Sequence, residues 1–79
     1  MTPGQITTLT YAGLMGHEFV VLRPATRGED TWDMAAQVTT EGQAWKYAAE
    51  DEGAVVFQQL PLAWKEPRCW RQLVRRDKG

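Results

Sequence analysis

Thr40-Glu41-Gly42-Gln43-Ala44-Trp45-Lys46-Tyr47-Ala48-Ala49-Glu50-Asp51-Glu52-Gly53 is the stretch on which the fold turns. As a strand it extends an antiparallel meander; as a helix it must pack across a sheet. Both readings have residues behind them. Thr40-Glu41-Gly42-Gln43 has the spacing of a capping box, alanines follow it, and Gly53 stands where a helix C-cap would. Against the helix, Trp45, Tyr47 and Ala49 alternate with Ala44, Lys46 and Ala48, which is the period of a strand. A helix over 44–52 would also load Glu50, Asp51 and Glu52 onto the negative end of its dipole. The strand is the preferred expectation, with the helix as its competitor.

The flanking segments also read as strands. Residues 54–60 form an apolar run stopped by Pro61. In 31–38, Trp32, Met34, Ala36 and Val38 alternate with Asp33 and Gln37, the pattern of a strand with one wet face. Phe19-Val20-Val21-Leu22 is a short apolar run ended by Arg23-Pro24. Residues 5–11 are rich in Thr, Ile, Leu and Tyr, which suit a pleated strand, and 12–16 contain two glycines that break it. The expected fold is mainly β, a β-rich α+β domain over 1–66. It is a small five-stranded antiparallel meander that curls and resembles, at the level of fold alone, an SH3-like barrel.

The last residues, 67–79, read differently. Pro67 can occupy the first position of a helix, and Trp70, Leu73 and Val74 then share one helical face. Arg68, Arg71, Arg75 and Arg76 take the other positions. The expectation is a short basic amphipathic helix packed on the barrel or extending from it.

Size sets limits. A chain of 79 residues makes one small domain, and the eight rings of Trp32, Trp45, Trp64, Trp70, Tyr11, Tyr47, Phe19 and Phe57 supply much of its apolar bulk. Cys69 is the only cysteine, so no internal disulfide forms; with no leader-like N-terminal pattern and no long apolar run, a cytoplasmic protein that does not enter a membrane is expected.

Charge is sorted along the chain. Residues 1–53 carry three basic and eight acidic side chains, for −5; residues 54–79 carry six basic and two acidic, for +4. Exposed ion pairs contribute only about 0–1 kcal/mol, so self-pairing is a poor reason for such sorting, and steering toward a partner is a better one.

Catalytic constellations are missing from the sequence. There is no serine, His17 is the only histidine, and Cys69 is flanked by Arg68 and Trp70 on a segment expected to dock. One His and one Cys far apart do not make a zinc site, and Glu50-Asp51-Glu52 lacks the alternating ligands of a calcium loop. Neither catalytic residues, metal nor cofactor are expected.

Two binding expectations follow. The first is a non-enzymatic protein-binding module, a stand-alone inhibitor or accessory protein of phage or mobile-element type. It would engage a partner with a basic surface through Glu29, Asp30, Glu50, Asp51 and Glu52, helped by an apolar turn tip, Leu14-Met15, between Gly13 and Gly16. The second is a nucleic-acid-binding regulator, in which Arg68, Arg71, Arg75, Arg76 and Lys78 neutralise phosphates while Trp70 stacks on a base. A homo-oligomer is compatible with either.

Overall fold

Phe19-Val20-Val21-Leu22 lies at the centre of the molecule, buried on both sides. The structure, a computed structural model, describes residues 1–15, 17–60 and 69–74, except the side chains of 13–15 and 69. Its elements in order are helix α1 (Pro3–Met15), strands β1 (Phe19–Pro24) and β2 (Trp32–Val38), helix α2 (Glu41–Ala48), and strands β3 (Val55–Leu60) and β4 (Cys69–Leu73). The strands form one antiparallel sheet in the order β2-β1-β3-β4. A β-rich fold with antiparallel pairing is therefore present, but the sheet has four strands among the described residues and stays open, with β2 and β4 as its edges. Among the described residues the five-stranded barrel is not formed.

Successive residues of β1 point to opposite faces, and each face has its own helix. Val20 and Leu22 pack with Phe57 of β3 under Leu9 and Ala12 of α1. Phe19 and Val21 pack with Val56 under Ala44 of α2, joined by the half-buried Trp45 and Ala48. The result is three layers, helix on sheet on helix, with β1 shared by both cores. Burying each large apolar side chain of that strand stabilises the fold by about 1.5–3 kcal/mol.

β2 departs from the simple alternation in its sequence. Its register on β1 runs Val21↔Ala36 and then Leu22↔Met34, which leaves Ala35 as an extra residue in a bulge. Trp32 and Met34 therefore face α1, while Ala36 and Val38 face α2. A regular strand would have put all four on one side.

Three expected elements are corrected. Residues 5–11 are helical, not a strand, and the reason lies just upstream. Thr2 is an N-cap whose hydroxyl accepts from the Gln5 N–H at 3.2 Å, while the Gln5 side chain accepts from the Thr2 N–H at 3.0 Å. Pro3 follows as the first helical residue. The hydroxyls of Thr7, Thr8 and Thr10 fold back onto the carbonyls four residues earlier, which satisfies them inside a helix of otherwise strand-loving residues.

Over 44–52 the competing helix prevails, but shifted: α2 starts at Glu41 and stops at Ala48. Thr40 caps it, accepting from the Gln43 N–H at 3.3 Å. The feared clash of Glu50, Asp51 and Glu52 with the dipole is avoided because they lie beyond the last helical turn. Trp45 and Tyr47, two positions apart, take different sides of the helix: Trp45 is half-buried against the sheet and Tyr47 is exposed.

The tail is a strand from Cys69 to Leu73, not a helix. β4 pairs with β3 from Leu60↔Cys69 to Val56↔Leu73, so backbone hydrogen bonding to an existing strand decides its form. Trp70 and Leu73, an odd number of positions apart, then serve opposite faces, one in each core. The two ends of the expected tail helix, 67–68 and 75–79, fall outside the described residues.

Candidate functional site

Two acidic segments far apart in sequence meet at one end of the sheet. Leu22 pairs with Val55, so the loop that leaves β1 and the turn that enters β3 emerge side by side. Gly53, with a φ of +79°, brings that turn so close to Pro24 that a Cβ on it would lie 3.1 Å from the proline ring. The Arg23 guanidinium reaches Asp51 at 3.7 Å across the same gap. Among the described residues this end gathers Glu29, Asp30 and Asp33 from β1–β2, and Glu50, Asp51 and Glu52 from α2–β3, against Arg23 and Arg27.

The carboxylates divide by what they touch. Asp30 is committed to the fold. It sits at a positive φ of 52° and accepts from the Thr2 hydroxyl, from the Gly4 N–H at 2.8 Å and from the Trp32 indole at 2.8 Å. Those donors, the Thr2 hydroxyl above all, hold its carboxyl below the usual aspartate value. It thereby anchors the positive N-terminus of α1 to the β1–β2 loop. Asp33 is taken by Arg27 at 2.7 Å. Asp51 is half-exposed and shares the loose contact with Arg23. Glu29, Glu50 and Glu52 remain exposed, with no ion-pair partner among the described residues. Of the five acidic residues singled out by sequence, these three are available to a partner.

Leu14 and Met15 are not a turn tip between strands; they occupy the last turn of α1. α1 begins beside Asp30 at the acidic end and runs away from it, so these residues are not neighbours of the carboxylates. Their side chains lie outside the described part.

The basic residues are only partly described. Arg68, Arg75, Arg76 and Lys78 fall outside it. Arg71 is exposed and donates to the Gln58 side-chain oxygen at 2.6 Å, and Gln58 in turn donates to Glu18 at 2.8 Å. Trp70 is half-buried in the core beneath α1. Adjacent strand residues point to opposite faces, so Trp70 and Arg71 do not form one surface on which a base could stack beside its phosphate.

Among the described residues no three His, Cys, Asp or Glu side chains come together in a way that could hold a metal ion. No described helix is long and apolar enough to cross a membrane. The residues that sequence reasoning missed are Thr2, Gly4, Gln5 and Trp32, which build the α1 anchor around Asp30. Thr2-Pro3-Gly4-Gln5, a capping box with proline at its first helical position, is the signal that could have revealed it. No protein-family model matches the chain, and no curated protein or solved structure is significantly similar to it.

Proposed function

We propose that this chain is a non-enzymatic protein-binding module whose contact surface is the acidic end of the sheet. One observation carries the reading: two separate segments bring Glu29, Glu50 and Glu52 to the same end, exposed and without an ion-pair partner among the described residues, while Asp30 and Asp51 hold the supporting turns. Carboxylates on short turns beside a sheet are positioned by the fold, so little ordering entropy is lost when they meet a cationic surface. The partner is a protein with a groove of Lys and Arg, and the acidic end takes the place there of another polyanion. Charges of this kind act mainly on encounter rate and specificity. A stand-alone inhibitor or accessory protein is the form such a module takes.

The test is capture from a lysate of the source cells, scored for protein and nucleic acid, with a triple variant Glu29→Lys, Glu50→Lys, Glu52→Lys. Loss of a protein partner, with an unchanged circular dichroism spectrum, supports the reading. Undiminished capture shows that the acidic end is not the contact. Capture of nucleic acid in place of protein favours the regulator reading instead, in which the basic tail makes the contact.

A further inference from the structure

We propose that the outer face of α1 is a self-association surface, on which two copies of this chain pair their α1 helices antiparallel. α1 has 13 residues and not one charge, in a chain of which 24% of residues are charged. Its inner side, with Leu9 and Ala12, is used against the sheet. On the outside, Ile6 and Tyr11 are 51% and 68% exposed. Between them lie Thr7 and Thr10, whose hydroxyls donate to the Pro3 carbonyl at 3.0 Å and the Ile6 carbonyl at 2.9 Å. The two threonine hydroxyls of this face thus find their acceptors within the helix itself, and the Tyr11 hydroxyl is the polar tip left to water. Covering it removes little from water that water was needed to satisfy.

Charge selects the occupant. A partner recognised by charge is drawn to the acidic end, where α1 starts, and finds nothing to pair with along the helix. A second copy presents the same neutral strip. An antiparallel arrangement also sends the two acidic ends to opposite extremes, so like charges are kept apart.

The positions are self-complementary, as an isologous contact requires. With a twofold axis level with the middle of α1, Ile6 of each copy meets Tyr11 of the other, and Thr7 meets Thr10. The two threonines are small enough at the crossing for helix axes to approach to about 8–10 Å. A helix of this length spans about 20 Å, and one face of it falls short of the ~800 Å² per partner of a stable interface. The association is therefore weak and depends on concentration.

Sedimentation equilibrium from low micromolar to near-millimolar concentration tests this. The average mass of the wild-type chain should climb toward twice that of the monomer. Ile6→Glu and Tyr11→Lys, each at an exposed site, should weaken self-association by roughly tenfold or more, since each sets a lone charge against an apolar face. Mixing the two variants should restore it, because the new carboxylate of one faces the new ammonium of the other across the twofold. Tyr47→Lys, on α2, should associate as the wild type does. A wild-type chain that stays monomeric throughout overturns the proposal. So does association that survives Tyr11→Lys, or a failure of the mixed variants to recover. Binding of α1 to neutral phosphatidylcholine vesicles without self-association also overturns it, and identifies a lipid surface as the occupant.

Discussion

Thr2-Pro3-Gly4-Gln5 and Thr40-Glu41-Gly42-Gln43 open the two helices with nearly the same residues, yet the two starts are built differently. In α2 the cap is local. Thr40 accepts from Gln43, Glu41 accepts from the indole of Trp45 at 2.9 Å, and a Cβ on Gly42 would meet nothing within 4 Å. In α1 the capping box is reciprocal, and a distant loop closes over it: a Cβ on Gly4 would fall 1.8 Å from the Asp30 carbonyl oxygen. One glycine is a helix residue with a weak propensity, and the other is a space into which a backbone fits. Identical letters at matching cap positions carry different physics once the tertiary partner is known.

The sharpest way to break this contrast is Gly4→Ala. The atom in the way is backbone and cannot rotate aside, so the β1–β2 loop must separate from α1. A loss of about 3 kcal/mol in denaturant unfolding is expected. A neutral result would mean that the loop does not sit on the helix.

Asp30→Asn comes next. It keeps the shape but removes the charge at the helix N-terminus, and the melting temperature should fall. The pH dependence identifies the cause. The Asp30 carboxyl titrates below the ordinary 3.8 because the Thr2 hydroxyl, the Gly4 N–H and the Trp32 indole favour its charged form. A lowered carboxyl contributes stability that is fully present above the unfolded value and disappears as pH falls through the folded one. The stability gap between wild type and Asp30→Asn should therefore be constant at neutral pH and close below 3.8. A gap that persists deep in acid would assign the effect to shape and not to charge.

The smallest effect has the opposite sign. Gly42→Ala should stabilise by about 0.5–1 kcal/mol, the ordinary gain of alanine over glycine in a helix with open space around it. Equal losses at Gly4 and Gly42 would erase the distinction between the two starts.

The same contrast explains what was legible in the sequence. β1 was legible because four consecutive apolar residues in a short run can only be a strand covered on both faces or a piece of buried helix, and Arg23-Pro24 ends it too soon for a helix. β2 and β3 were legible by composition, although nothing in the alternation of Trp32, Met34, Ala36 and Val38 announces a bulge. α2 was half legible, since its cap is written locally in Thr40 to Gln43. α1 was not, because Ile6, Thr7, Thr8, Thr10 and Tyr11 prefer strands, and the cap with its Asp30 clamp overrides that preference. β4 was not legible because Trp70, Leu73 and Val74 fit a helical face as well as a strand with two buried sides, and only pairing with β3 chooses between them. At the acidic end, sequence pointed to Glu29, Asp30, Glu50, Asp51 and Glu52 by their runs of like charge and passed over Asp33. It could not show that Asp30 is committed to a helix terminus while Glu29, beside it, is not.

The bulge at Ala35 has a consequence for how this chain can vary. A sheet lined on both sides has a parity, odd positions for one core and even for the other, and most strands keep it from end to end. β2 changes parity midway, so its two halves are tied to different cores by a single residue. Removing that residue would leave the composition almost untouched. It would set Met34 and Ala36 in direct succession against Leu22 and Val21, so the pairing would become regular while the tryptophan end and the valine end each kept its own core.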